Sequence, residues 1–486
     1  MDRHRRFLRA KYSRIGYYTG VLIIGVGVYT LLPLVFYPFT RSQPGVATGF
    51  IVAGFLGMLV GWALTALSRR NEADQPPLTY KEGAVVVTAT WLIAVAIGTL
   101  PFVLSGALGW LDATYEAMSG WTTTGLSMID ADAADPLLLA WRSLMQFAGG
   151  AGLAVMMLAA LIGPIGSRLY GAEARGDHLV PNVVRTAKLI MGIYLGYAVI
   201  GTVAYFAAGM SWFDAVNHSI AALSTGGFST KNASIGHWQS PAIEAVSLAL
   251  MFAGTTSFAV HYRLLTRKKA RDHESVLLGA IILVAFPMFL FSLSQTGFEA
   301  VRVALFNVIS AISTTGFATV DFGELAGGPV FLIIMLMAIG GGTGATAGGI
   351  KLHRISLLLH EIWWSIKQEV SPNRMVLSRR IHRFGRMERI PQEAFREIGL
   401  YVGLVLITLG LGTLIFTLYG YPVKTALFEF GSSLGTVGLS TGATNAAMPA
   451  GLKVVQMLAM WLGRLEFFAI FVAFAQLFRD IGGRRS

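Results

Sequence analysis

An all-α polytopic membrane protein is predicted, with four helix, pore-loop, helix repeats in pseudo-fourfold arrangement behind an N-terminal two-helix hairpin. Three observations predict it. The composition is too apolar for a chain with a wet surface, apolar runs of membrane-spanning length recur from end to end, and one glycine-centred motif occurs four times.

Of 486 residues, 54% are hydrophobic and 13% are charged, and the mean hydropathy is +0.61. Runs near the bilayer-crossing length of about 20 residues are expected at 17–39, 46–67, 83–105, 141–163, 187–209, 240–262, 275–297, 329–359, 398–419 and 452–478. The first follows Arg3, Arg5, Arg6, Arg9, Lys11 and Arg14, as in a signal peptide. It is longer than a signal peptide's apolar region and no small-residue cleavage pattern follows, so it is expected to be a retained helix.

The absence of cysteine excludes disulfides, thiolate metal sites and cysteine nucleophiles. A net charge of +12 raises the question of nucleic acid. With a cytoplasmic N-terminus, however, the alternation of spans leaves only Arg41, Arg142, Lys231, Arg302, Lys424 and Lys453 on the outside, with Arg464 inside a span. The remaining Lys and Arg gather on the inner side, an asymmetry that the positive-inside rule explains without nucleic acid. Both termini are then cytoplasmic.

Between alternate pairs of spans lie half-apolar stretches that align on Gly125, Gly227, Gly316 and Gly438. Twelve residues before the glycine stands Ala (113, 215, 304, 426), and nine before it a polar residue (Glu116, His218, Asn307, Glu429). Six before comes a small residue (Ser119, Ala221, Ser310, Ser432), two before a threonine (Thr123, Thr225, Thr314, Thr436), and one after a bulky apolar residue (Leu126, Phe228, Phe317, Leu439). The repeats then divide the chain into an N-terminal segment with hairpin and linker (1–82) and pore repeats at 83–186, 187–274, 275–397 and 398–486.

Irregular backbone is tolerated at membrane depth only where it lines a cavity or is packed in protein. Glycine lets successive carbonyls turn inward because it accepts positive φ. Four such strands around one axis would stack rings of oxygen that replace the hydration shell of a potassium-sized ion, and Thr436-Val437-Gly438 matches the start of the potassium-channel filter. The candidate ligands are Thr123, Thr124, Gly125, Leu126, Thr225, Gly226, Gly227, Phe228, Thr314, Thr315, Gly316, Phe317, Thr436, Val437, Gly438 and Leu439. A half-helix entering from outside turns its negative C-terminal end toward them. The polar residues nine before the glycine are expected to anchor the half-helices rather than to bind the ion. Asp112, Glu116, Asp130, Asp132, Asp135, Asp214, Glu244, Glu299, Asp321, Glu324 and Glu429 are expected at an outer mouth that concentrates cations.

The span at 329–359 is interrupted by Gly340, Gly341, Gly342, Thr343, Gly344, Ala345, Thr346, Ala347, Gly348 and Gly349. At about 1 kcal/mol of lost helix propensity per glycine, this run should loop out below the third filter and form a mobile barrier. Arg464, inside the last span with Glu466 two residues on, should face a cavity, this loop or an ion partner. Catalysis has little support: His360-Glu361 lacks a second histidine because position 364 is Trp, and no P-loop occurs.

The four motifs, GGGTGATAGGIK at 340–351, Trp141 to Gly152, and Gly463-Arg-Leu-Glu-Phe-Phe resemble signatures of the TrkH/KtrB/HKT superfamily of potassium transporters, over essentially the whole length. The N-terminal hairpin makes the chain most similar to the TrkH-type pore subunit. The resemblance implies a non-enzymatic potassium-uptake protein of a bacterial or archaeal cytoplasmic membrane, with potassium as substrate and no nucleotide bound by this chain. It also implies a homodimer, a TrkA-type nucleotide-binding ring on the cytoplasmic face, and a gating role for 340–349 opposite Arg464. Glycine at all four filter positions implies potassium over sodium, since serine at the first goes with sodium in the family. A sodium-selective carrier, or a proton- or sodium-coupled symporter of the same fold, is the alternative.

Overall fold

The computed structural model describes residues 2–68, 78–152, 183–268, 272–293, 296–371, 379–384 and 386–482. The inner part of the span expected at 141–163, and the basic stretch after it with Arg168 and Arg175, lie outside these residues.

The hairpin consists of α1 (Asp2–Thr30), a 3-10 segment (Leu32–Phe39) and α2 (Pro44–Ser68). It closes through small residues: a side chain at Gly20 would strike Gly61 and Thr65, and one at Gly27 would strike Gly54 and Met58. Helices in lipid approach closely at such positions because van der Waals contact, not water exclusion, drives their association.

The repeats follow in order. The first contains α3 (Tyr80–Leu104), α4 (Trp110–Trp121) and α5 (Pro136–Ala151), and the second α6 (Val183–Ala207), α7 (Trp212–Leu223) and α8 (Pro241–Thr255), the last leading into α9 (Phe258–Leu265). The third contains α10 (His273–Leu290), α11 (Gly297–Ile312), α12 (Gly327–Ile339) and α13 (Leu352–Val370), and the fourth α14 (Gln392–Leu418), α15 (Val423–Leu434), α16 (Ala450–Arg464) and α17 (Phe468–Ile481). Between α13 and α14 a basic hairpin pairs β1 (Arg380–Arg383) with β2 (Arg386–Arg389) antiparallel.

The first helix of each repeat is long and apolar, and among the described residues six helices are long and apolar enough to cross a membrane. Two of them begin with a side-chain cap: Thr79 and Glu82 form a capping box at α3, and the Asp272 side chain accepts the Ser275 N–H at 2.8 Å to start α10. Leu195, Ile200, Val203 and Phe206 on α6, and Leu406, Ile407 and Leu411 on α14, are exposed. This outward apolar stripe has the character of a lipid-facing surface.

The second helices behave differently from expectation. The runs at 240–262 and 452–478 are not straight spans: α8 and α9 meet at 104°, and α16 and α17 at 101°. With α12 ending at Gly340 (φ +72°) and α5 at Gly152 (φ +84°), every second helix stops after 13 to 16 residues. At 1.5 Å per residue that is roughly 20–24 Å. A break was expected only in the third repeat, where glycines announce it; the others are stabilised by tertiary contacts described below.

Candidate functional site

The short helices α4, α7, α11 and α15 all end in one way. The N–H of Thr123 reaches the Gly120 carbonyl at 3.1 Å and that of Thr124 the Ser119 carbonyl at 2.9 Å; Thr225 and Gly226, Thr314 and Thr315, and Thr436 and Val437 repeat the pair. This is a Schellman cap, which requires a left-handed residue. Here that residue is threonine each time, with φ of +55° at Thr123, +51° at Thr225, +56° at Thr314 and +51° at Thr436. A β-branched residue in this region costs about 1–3 kcal/mol and persists only where its surroundings hold it. Two residues later Gly125, Gly227, Gly316 and Gly438 also take positive φ, between +75° and +95°.

The four turns form a closed ring. A side-chain carbon placed on Gly125 would collide with the carbonyl oxygen of Gly226, on Gly227 with that of Thr315, on Gly316 with that of Val437, and on Gly438 with that of Thr124. Each repeat thus presents a backbone oxygen to its neighbour's glycine, and the order returns to its start. All four glycines line one cavity of about 620 Å³.

The polar column nine before each glycine pins the strand that leaves the ring. Glu116 accepts from Met128 N–H (2.7 Å) and Ser127 Oγ (2.9 Å). Glu429 accepts from Thr441 N–H (2.7 Å), and Asn307 Nδ2 donates to Thr319 Oγ1 (2.8 Å). His218 Nε2 lies 2.9 Å from Ser229 Oγ. These residues anchor the turns.

Two side chains of α5 outside the four glycine-centred motifs also reach the ring. Arg142 pairs with buried Glu116 at 2.7 Å, donates to the Ser229 carbonyl at 2.9 Å, and lies over the Phe228 ring. Gln146 Nε2 donates to the Gly226 carbonyl at 2.5 Å and its Oε1 accepts from Phe228 N–H at 3.2 Å. Polar residues inside an apolar helix were the available signal for both.

The acidic mouth is corrected by the structure. Glu116 and Glu429 are consumed as anchors, Asp112 pairs with Lys453 at 2.5 Å, Glu244 with Arg302 at 3.2 Å, and Asp135 caps α5. Of the eleven acids, Asp321 lines the cavity. Asp130 stays at the rim, where the Asn232 amide holds its carboxyl below the usual carboxylate range.

On the far side of the ring, the Gly340–Gly349 loop touches the second, third and fourth repeats. Thr346 N–H reaches the Gly254 carbonyl (3.1 Å) and its Oγ1 donates to the Leu223 carbonyl (3.0 Å). Gly348 N–H donates to Thr314 Oγ1 at 2.7 Å and Gly349 N–H to the Gly435 carbonyl at 3.1 Å. Arg464 Nη1 donates to the Thr346 carbonyl at 3.0 Å, while its Nη2 bonds the Gly149 carbonyl. Glu466 pairs with Lys351 at 3.0 Å and with Arg354. The bend after α16 therefore grips the loop at its middle and at its end.

The Oγ1 atoms of Thr123 and Thr436 are buried with no hydrogen-bond partner among the described residues, and Thr436 Oγ1 lies against Gly348 of the loop.

The profile of the TrkH family, described as cation transport protein, matches residues 51–298 and 290–480. An uncharacterized cation transporter of Methanocaldococcus jannaschii is 32% identical over 464 residues, 94% of either chain. The Trk system potassium uptake protein TrkH of Halomonas elongata is 33% identical over 456 residues, covering 89% of this chain and 92% of the other. The crystal structure of the potassium transporter TrkH from Vibrio parahaemolyticus superposes with a TM-score of 0.82 at 26% identity, over 96% of this chain and 98% of that one. The chain belongs to the TrkH family of cation transport proteins.

Proposed function

We propose that this chain carries potassium into the cell through the ring formed by its four Thr-x-Gly turns. The family assignment makes it a transporter rather than an enzyme. The observation that carries the reading is the cyclic approach of each glycine to the carbonyl just before the next repeat's glycine, Gly125 to Gly226, Gly227 to Thr315, Gly316 to Val437 and Gly438 to Thr124. Rings of inward carbonyls replace the water of a dehydrating cation, and the C-terminal ends of four short helices add negative potential. The ligands in this reading are the carbonyls of the four turns with the hydroxyls of Thr123 and Thr436 below them.

The Gly340–Gly349 loop acts as the gate. Its bonds to Leu223, Gly254, Thr314 and Gly435, and the Arg464 contact at Thr346, support a barrier that must break several hydrogen bonds to open. The cavity side faces out and the basic side, with the β1–β2 hairpin, faces the cytoplasm, in accord with the positive-inside rule. The chain works as a homodimer with a nucleotide-binding ring on that face. The relatives whose names include a potassium uptake system support the choice of ion.

The test is flux from reconstituted liposomes with potassium, rubidium and sodium across a range of pH. Potassium and rubidium are expected to pass well ahead of sodium; sodium passing as fast as potassium would remove the proposal. A flux that follows an imposed proton gradient without a potassium gradient would replace it with proton-coupled symport.

A further inference from the structure

We infer that His273, Glu274 and His353 form a site for a divalent transition-metal ion of the Zn2+ type, and that occupancy locks the Gly340–Gly349 loop where it now lies. The regulatory half of this inference rests on the gating role of that loop.

The three side chains come from two helix starts. His273 and Glu274 open α10, and His353 is the second residue of α13, the helix into which the loop feeds. One ligand atom from each lies within 4.8 Å of the others. His273 Nε2 is 2.9 Å from His353 Nδ1, and Glu274 Oε1 is 3.9 Å from the same nitrogen. Two ligands on one tetrahedral zinc, each about 2.0–2.2 Å from the metal, stand roughly 3.3 Å apart. The two separations at His353 bracket that value, and the third lies within 4.8 Å, so capture needs only side-chain adjustments.

A histidine–histidine hydrogen bond accounts for the 2.9 Å contact alone. It leaves unexplained why a buried carboxylate is aimed beside both rings. Glu274 is oriented from behind: its Oε2 accepts the N–H of Thr343 in the loop at 2.6 Å, the arrangement by which an outer partner fixes a metal ligand. His273 also lines a cavity of about 600 Å³ together with Asp272, Ser356, His360 and His382, which gives an ion a path to the site. Two imidazoles and one carboxylate suit zinc, nickel or cobalt and not magnesium or calcium, which require oxygen ligands.

The consequence follows from connectivity. A metal bound here ties the start of α13 to the start of α10, and Glu274 ties the metal to Thr343. Both ends of the loop's second half are then held, and the loop cannot withdraw from below the ring without breaking the Thr343–Glu274 hydrogen bond, whose acceptor the metal fixes, or the coordination of His353.

The test titrates purified full-length protein with Co2+, whose tetrahedral nitrogen and oxygen complexes absorb in the visible. One Co2+ per chain, displaced by Zn2+, is expected, with the absorption lost in His353→Gln and in His273→Gln. Elution as a single symmetric peak checks that each variant is folded, and Glu274→Gln, which keeps an acceptor for Thr343, serves as a third. In proteoliposomes, Zn2+ supplied to the basic face is expected to lower potassium flux at least fivefold in the native chain, reversed by chelator, and to leave His353→Gln unaffected. Equal Co2+ binding by native and variant chains overturns the site. Stoichiometric binding with no change of flux overturns the locking, whereas removal of 343–347 without a rise in flux overturns the gate itself and leaves the Co2+ result to decide the site.

Discussion

The carboxamide of Gln146 occupies the space that a side chain at position 226 would fill: a carbon placed on Gly226 would lie 2.5 Å from Gln146 Oε1. The other repeats carry Thr124, Thr315 and Val437 at this position. They also carry a serine six before the glycine, and that hydroxyl bonds the turn, Ser119 Oγ accepting Gly125 N–H at 3.0 Å and Ser432 Oγ accepting Gly438 N–H at 3.0 Å. The second repeat has Ala221 instead. Gln146, reaching over from the first repeat, supplies both the missing volume and the missing hydrogen bonds. Gln146→Ala would strand the Gly226 carbonyl and the Phe228 N–H, at about 1–3 kcal/mol each when buried. A lowered thermal midpoint and weaker potassium over sodium selection are expected. Gly226→Thr alone should be worse, and the pair together should recover part of the loss, since contacting residues are not additive; strict additivity in thermal melts would refute the compensation.

Gly125→Ser is expected to lower potassium over sodium discrimination about tenfold, a difference of about 1.4 kcal/mol. At φ +92° a side chain is strained, and its Cβ meets the Gly226 carbonyl. The new residue must push that oxygen, so the damage spreads to the second repeat as well. Unchanged selectivity in liposome flux would show that the ring does not choose the ion.

Arg464→Ala should raise basal flux roughly tenfold or more. A charge-assisted hydrogen bond contributes about 1.5–3 kcal/mol, and this side chain bonds Thr346 in the loop on one side and Gly149 in the first repeat on the other. Deleting 343–347 should have a larger effect in the same direction. Single-channel or tracer flux with basal activity equal to the native chain would exclude a closing role.

Much of this arrangement was legible in the residues because it is repeated. Gly125, Gly227, Gly316 and Gly438 align with their polar anchors through four copies, and a glycine run at 340–349 announces its own loop. The breaks at Thr256 and after Arg464 carry no such mark, since the apolar run continues through them. They exist because distant groups satisfy the freed backbone and charges, Phe258 N–H on the Gly344 carbonyl at 3.1 Å and Glu466 on Lys351 at 3.0 Å. The acidic mouth failed for the converse reason: a count of carboxylates does not reveal that Asp112, Glu116 and Glu244 already have cationic partners. Pairing across repeats is a property of the fold, and composition alone does not carry it.

That pairing yields a final expectation at Glu116 and Arg142, whose side chains are 0% and 3% exposed. Removing one member of a buried ion pair costs about 3–5 kcal/mol because the other is left charged and unpaired, while replacing both is often near neutral. Arg142→Met is therefore expected to lower the thermal midpoint in detergent sharply, and Glu116→Gln with Arg142→Met to recover much of it. Transport should not recover in parallel. Arg142 also donates to the Ser229 carbonyl and to Ser127 Oγ at 3.1 Å, so it sets the strands leaving two adjacent turns, and Met can do neither. A double variant that regains both stability and native selectivity would reduce the pair to a packing element with no bearing on the ring.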